Sequence, residues 1–333
     1  MKVVMQTEFG PPDVLELHEV KKPSVGDEDV LIQVKAASVN YGDLLARNFK
    51  STRPGNFSMP MLFWLFAKLY FGWNKPRISV LGNEFSGTVE AVGKKVRSFQ
   101  VGDDVFGYRG QEMGAYAEYL SMPATGVLTT MPEGLGFEEA TVIPYGGLVA
   151  TGLLRKIEIQ PGQKVLIIGA SGGIGSAAVQ MARDRGAEVT GVCGTPRVQY
   201  VKELGAERVI DYMVEDFTEQ DERYDLIFDV LGKSSYSRCK RLLREKGVYL
   251  RASFKSPQLV QMLWTGVVGG TRVKCVLAPC NASDLKTVKG LVERGVLTAR
   301  VDRIFPLEEA AKAHAYVERG KRKGPSVLVM NAD

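Results

Sequence analysis

Glycines at 169, 172 and 175 follow directly on the apolar run Val165-Leu166-Ile167-Ile168 and lead into a helical pattern from Ile174 to about Arg185. A continuously apolar run of this length suits a parallel strand buried on both faces. The glycines let the backbone turn tightly and approach a pyrophosphate, and the free N–H groups of a helix start face the negative charge. With strand before and helix after, the spacing predicts a dinucleotide site touched by Gly169, Ser171, Gly172, Gly173 and Ile174. The following strand, Glu188 to Cys193, runs into Gly194-Thr195-Pro196-Arg197. An NAD site carries an Asp or Glu here to hold the adenosine ribose, and none is present. A hydroxyl and a guanidinium stand there instead, which suits a 2′-phosphate: Thr195 donates one hydrogen bond and Arg197 several. The plainer role for Arg197 is a surface arginine in a helix's first turn.

The elements that must position these residues follow from the rest of the chain. Its 333 residues allow two domains, and 45% apolar with 24% charged residues is ordinary for a globular protein. A net charge of +5 suits an anionic ligand without demanding nucleic acid, because no long basic block dominates. The densest cluster, Arg319-Gly320-Lys321-Arg322-Lys323, reads as a solvated loop. Cys193, Cys239, Cys275 and Cys280 have neither metal nor disulfide spacing, and Cys193 and Cys275 read as buried thiols. The opening Met1–Gln6 lacks a signal-peptide layout, so the protein is read as cytoplasmic and reduced.

Residues 80–124 are short apolar runs broken by Gly and Asp, the pattern of a small curved β domain. Before them, Asp43 is placed to cap a short helix at 44–47. Residues 56–73 are the most apolar stretch, with Ser58 to cap a helix and Gly72 to end it. Lys68 and the short length rule out a membrane span. Its burial is open between the domain core, a subunit or membrane surface, and the substrate cleft, with Trp64 and Phe66 the test positions for the last. From about 126 the pattern becomes βαβα, with strands expected at 164–168, 188–193, 208–212, 225–230, 247–252 and 273–278 and helices at 198–204 and 235–243. Six such strands fit a doubly wound parallel sheet. The tail carries helices near 285–294 and 307–319. Its last strand, Ser326 to Met330, most simply returns to the first domain.

The motifs Val39-Asn40-Tyr41-Gly42-Asp43, Gly82 to Gly107, Pro144-Tyr145-Gly146-Gly147-Leu148, Gly169 to Gln180, and Leu204-Gly205-Ala206 with Val209-Ile210-Asp211-Tyr212 resemble the medium-chain dehydrogenase/reductase superfamily, in its zinc-free quinone oxidoreductase branch. The resemblance covers nearly the whole chain. It implies an α/β fold in which a Rossmann doubly wound parallel sheet (residues 126–279) is inserted in a GroES-like β-rich catalytic domain (1–125 and 280–333), with a cleft between them. It also implies NADPH-dependent reduction of a quinone or activated carbonyl, and adds Tyr212 to the 2′-phosphate site. Zinc members of the superfamily place a cysteine where this chain has Asn40 and a histidine where it has Asn83, so no metal is expected. Asn40 is then a candidate donor to the acceptor oxygen, or a loop asparagine bonding nearby backbone. Tyr41 and Tyr145 are candidate donors or aromatic walls. Val149 replaces a threonine found beside the nicotinamide in many relatives, and the 51–78 connection is longer and more aromatic than in the shortest ones. An aldehyde or ketone reductase, and an NADPH-binding adaptor, stay open as alternatives. The expected partner is a small apolar substrate, with no nucleic acid and no transmembrane segment, and a homodimer is compatible.

Overall fold

The computed structural model describes residues 1–320 and 322–330. Two sheets organise it. Among the described residues, six parallel strands run in the order Arg208–Asp211, Glu188–Cys193, Lys164–Ile168, Tyr224–Asp229, Leu243–Arg251 and Arg272–Cys275. The glycine-turn strand is thus central, and order reverses beside it, where such sheets open a ligand crevice. The second sheet is built on the long strand Asp29–Val39, which pairs antiparallel with Glu84–Val92, Tyr119–Pro123 and the late strand Ser326–Val329. The end of the chain therefore returns to the sheet formed by its beginning.

Each sheet has its own apolar core. Val165, Ile167, Val189 and Phe228 fill one, and Ile32, Phe85, Tyr116 and Leu328 the other. Leu285, Val288 and Leu297, which follow residue 280, pack into the nucleotide-sheet core rather than the β-rich one. Part of the 280–333 segment thus lies by packing on the nucleotide side.

Local departures from the sequence reading have identifiable causes. The segment expected as one helix over 235–243 is a single turn, Tyr236–Cys239, followed by a strand that already begins at Leu243. A helix unanticipated from sequence spans Ser256–Val268 and lies beside the edge strand Arg272–Cys275. The first helix is Tyr41–Arg47, and its cap is Asn40, not Asp43. Asn40 Oδ1 accepts from the Gly42 N–H at 2.8 Å, while Asp43 reaches back to accept from the Asn40 N–H at 2.9 Å. This reciprocal capping box satisfies two orphan donors with two side chains. The Met61–Phe71 helix starts after Pro60 with no side-chain cap, so Ser58 does not serve there, and it ends at Gly72 with φ +109°. Cys193 is buried as expected, whereas Cys275 is only half-buried.

Asp43 also accepts from the Gly82 N–H, and it sits at one end of a buried polar chain. Tyr116 Oη lies 3.0 Å from His314 Nε2, Arg47 Nη1 donates to His314 Nδ1 at 3.0 Å, and Arg47 pairs with Glu318. Burial pushes the Asp43 carboxyl up to about 7, with Glu84 adding to the rise. Burial, aided by Arg47, pushes the His314 imidazole down to about 3. These shifts act on stability with opposite signs. Asp43, raised from 3.8, contributes stability that is lost as pH climbs towards 7. His314, lowered from 6.5, contributes stability that is lost as pH falls towards 3. Between about pH 4 and 6.5 the two slopes, each ~1.4 kcal/mol per pH unit, oppose each other. Urea unfolding of Asp43→Asn across this window should therefore show stability rising with pH more steeply than in the unsubstituted protein. Parallel profiles for the two proteins would refute the assignment.

Candidate functional site

The nucleotide half of the site is shaped by glycines with different tasks. Gly169 leaves the central strand with φ +87°, which only glycine adopts without strain. A Cβ on Gly175 would lie 2.1 Å from the Gly169 carbonyl oxygen, so that residue serves helix–strand packing. A Cβ on Gly146 would meet the Gly173 carbonyl oxygen at 2.3 Å, which draws the Pro144–Leu154 helix onto the turn. Gly172 is different. Its φ of −81° suits any residue, and a Cβ there would meet nothing closer than 3.6 Å. The space in front of Gly172 is open, as a close-approaching pyrophosphate requires. The Gly173–Asp184 helix starts at this point with no side-chain cap, leaving its first N–H groups directed at that space. Ser171 and Ile174 are half-exposed on its rim.

The next strand ends at Cys193, and Gly194 carries the chain into the Thr195–Arg197 turn. Around Gly194 the side chains of Tyr212 and Arg197 converge: a Cβ placed there would stand 3.0 Å from Tyr212 Oη and 3.6 Å from Arg197 Nη2. Arg197 is half-buried, and its Nε, though shielded from water, has no hydrogen-bond partner among the described residues. Burial, followed by the charge of Arg197, lowers the pKa of the Arg322 guanidinium. Two guanidinium groups near enough for one charge to act on the other, one of them with an unanswered buried donor, suit an anion. Thr195 is exposed at the mouth of this site. Arg322 is the functional candidate missed from sequence, where its cluster reads as a solvated loop. Lys321 of that cluster lies outside the described residues.

The other half is built around Glu84, at the start of its strand and fully buried. Its Oε2 accepts from Ser38 Oγ at 2.5 Å and from Asn40 Nδ2 at 2.9 Å, and its Oε1 accepts from the Tyr145 N–H at 2.7 Å. Glu84 thus caps the Pro144–Leu154 helix, whose N-terminal dipole favours a negative charge. Burial still outweighs these bonds and raises its pKa. Asn40 Nδ2 also donates to Asn83 Oδ1 at 2.6 Å, so both amide hydrogens are engaged within the protein. Asn40 is therefore held as a linker between Asn83, Glu84 and the first helix.

Of the two candidate tyrosines, Tyr41 is exposed and Tyr145 half-buried. Tyr41 opens the first helix and is 63% exposed. Tyr145 stacks on Tyr108 with ring centroids 5.7 Å apart. Its hydroxyl is pushed up to about 12, by burial first and by Glu84 next, so it stays protonated at neutral pH. Among the described residues the Tyr145 hydroxyl has no hydrogen-bond partner. The structure brings Asn40, Tyr41 and Tyr145 together around Glu84, and separately gathers Gly172, Gly173, Arg197 and Tyr212 along the ends of the parallel strands.

Comparison with known proteins agrees with this architecture. The alcohol dehydrogenase GroES-like domain matches residues 26–133, and a family described as zinc-binding dehydrogenase matches 204–328. The quinone oxidoreductase of Sus scrofa is 29% identical over 329 residues, covering 94% of this chain and 93% of the pig protein. The chloroplastic NADPH-dependent alkenal/one oxidoreductase of Arabidopsis thaliana is 26% identical over 342 residues, covering 98% of this chain and 79% of its own length. The solved quinone oxidoreductase of Coxiella burnetii superposes with a TM-score of 0.83 at 29% identity, covering 99% of both chains. The chain belongs to the medium-chain dehydrogenase/reductase superfamily, in its quinone oxidoreductase branch.

The zinc named in that family description does not fit this site. Where ligands would stand, Asn40 and Asn83 are neutral amides bonded to each other, and Asn40 donates to Glu84 as well. Structural and catalytic zinc takes thiolate, imidazole or carboxylate donors, and no set of three is gathered here. Among the described residues no group of three or more His, Cys, Asp or Glu side chains could hold a metal ion.

The dinucleotide does fit, and the glycines supply a test. Gly172→Ala should fold with stability within about 1 kcal/mol of the unsubstituted protein, since alanine suits its backbone and finds no clash. Its dinucleotide affinity should fall sharply, because the added methyl fills the open space. Gly175→Ala should instead destabilise by roughly 1–3 kcal/mol through overpacking. Thermal unfolding with cofactor titration by fluorescence separates the two, and unchanged affinity in Gly172→Ala would remove this turn from the site.

Proposed function

We propose that this protein is an NADPH-dependent oxidoreductase that delivers hydride to a quinone or an α,β-unsaturated carbonyl without a metal. The observation carrying the cofactor choice is the convergence of Arg197 and Tyr212 at Gly194, at the strand end where an NAD site holds a carboxylate, with Arg322 within range of the Arg197 charge. The names of several relatives, including the NADPH-dependent alkenal/one oxidoreductase, support it. In this reading the Gly169–Ile174 turn holds the pyrophosphate, and Thr195, Arg197, Tyr212 and Arg322 hold the 2′-phosphate.

Bound there, reduced nicotinamide supplies the hydride. The chain's own residues orient the acceptor and stabilise charge on its oxygen. Tyr145 is the group suited to donate to that oxygen, because its hydroxyl is protonated and uncommitted. Tyr41 walls the open side, and Asn40 positions the helix start that carries it. A quinone takes up one hydride and one proton to become the hydroquinone, and an enone takes them at its β and α carbons. Both acceptors need oxyanion stabilisation more than a Lewis acid.

NADPH oxidation measured against quinones, enones, enals and simple aldehydes tests the substrate class. Turnover confined to simple aldehydes or ketones would replace this reading with a carbonyl reductase, and binding of NADPH without turnover would make the protein an adaptor. Tyr145→Phe should lower kcat/KM for enones by roughly 100-fold, the effect of losing one oxyanion donor. Chelators should leave turnover unchanged.

The phosphate site has its own readout. Arg197→Ala and Arg322→Ala should each weaken NADPH binding by about 10- to 100-fold, the worth of a charge-assisted hydrogen bond, and leave NADH binding nearly unaltered. Equal losses for both cofactors would overturn the assignment.

A further inference from the structure

The Met61–Phe71 helix is apolar around its whole circumference, and only half of that surface is covered. Trp64, Ala67, Lys68 and Phe71 form the inward stripe, packed over Phe49 and Phe57, with Trp64 Nε1 donating to the Thr52 carbonyl and Lys68 Nζ to that of Phe49. This face covers the β-domain core. The opposite stripe, Leu62, Leu65, Phe66 and Leu69, follows the same helical spacing and faces out, with Leu62 60% and Phe66 59% exposed, and the exposed Trp73 lies just past the helix end. Met61, Phe63 and Tyr70 widen it. A helix apolar all round normally lies inside a protein or a bilayer, and an exposed apolar patch of this extent marks an interaction surface.

The charges around this patch select its occupant. From residue 44 to residue 83 the sequence contains no Asp or Glu, yet it holds six of the 43 Lys and Arg residues. Lys50, Arg53, Lys75 and Arg77 are exposed on the segments flanking the helix. The Ser256–Val268 helix repeats the pattern, with Val260, Leu263, Trp264 and Val267 exposed and no acidic residue between 246 and 283. The two stretches meet, because Lys255 Nζ donates to the Gly55 carbonyl. A second copy of the chain pairing through this face would bring the same basic rim against itself. An anionic bilayer surface matches both features: acyl chains accept the apolar stripe and lipid phosphates the rim. At 11 residues the helix cannot span a bilayer, and no helix among the described residues is long and apolar enough to do so.

We infer that the outward face of the Met61–Phe71 helix, with its basic flanks, seats the protein on an anionic lipid surface. The helix lies in the plane of the interface with Phe66, Leu69 and Trp73 in the acyl boundary. This assignment is independent of the reaction proposed above, and its test needs no turnover.

Sedimentation of the full chain with phosphatidylcholine vesicles, with and without phosphatidylglycerol, tests it. Binding is expected to the anionic vesicles only and should weaken as salt is raised. Leu65→Ser, Phe66→Ser and Leu69→Ser, all at exposed positions, should each reduce partitioning roughly tenfold or more. Lys50→Gln and Lys75→Gln should each reduce it about fivefold, the weight of one basic residue at such a surface. Circular dichroism and melting temperature should stay unchanged in all five. Failure of the folded protein to bind either vesicle would overturn the proposal, as would equal binding to both. Light scattering that shows a dimer dissociated by these serine substitutions would assign the face to a second copy instead.

Discussion

Much of the site depends on one buried carboxylate. Glu84 accepts hydrogen bonds from a strand hydroxyl (Ser38), from the amide that caps the first helix (Asn40) and from the first free N–H of the Pro144–Leu154 helix (Tyr145). Those donors belong to different parts of the fold, so a single side chain fixes the relative placement of the β-rich sheet, the Tyr41 helix and the helix that abuts the glycine turn. A buried carboxylate is costly unless its lone pairs are answered, and here each oxygen is. The same network includes Asn83, whose Oδ1 accepts from the Asn40 amide that also donates to Glu84. A polar knot of this kind holds geometry, and it leaves the open tyrosines to meet the substrate.

Steric contact plays the corresponding part on the nucleotide side. Gly146 and Gly175 are needed because backbone oxygens lie where their Cβ atoms would be, while Gly172 leaves room towards solvent. The helix carrying Tyr145 is therefore drawn onto the pyrophosphate turn by Gly146 and held at its N-terminus by Glu84. The geometry of the substrate half and that of the cofactor half are set by one element.

The parts legible in the sequence are those encoded by local periodicity. The strand Lys164–Ile168 and its glycine turn fall where the apolar run and glycine spacing put them, as does Glu188–Cys193. The parts that were not legible depend on choices between neighbours or on tertiary contact. Asn40 and Asp43 both suit an N-cap, and only the fold shows that they share the task as a capping box. The amide hydrogens of Asn40 look free in the sequence and are taken by residues far along the chain. The Ser256–Val268 helix has Gly266 within it and apolar residues on its solvent side, so its pattern does not announce a surface helix. Arg322 was hidden for the same reason: in sequence it is one cation among several, and only folding sets it against Arg197.

That last pairing also bears on how the two halves cooperate. Arg197 follows a strand of the nucleotide sheet, whereas Arg322 lies between the helix that carries His314 and Glu318 and the strand Ser326–Val329 of the β-rich sheet. Burial chiefly, and repulsion from the Arg197 charge next, lowers the pKa of the Arg322 guanidinium. In the proposed NADPH site a phosphate accepting from both would offset that repulsion and tie the nucleotide sheet to a segment anchored in the other sheet. Binding energy from a group remote from the reacting carbon would then help fix the placement of the two halves, a use such energy has in catalysis. A phosphate bound by Arg197 alone would add affinity and nothing to this geometry. In that reading the second arginine makes cofactor recognition a link between the two sheets.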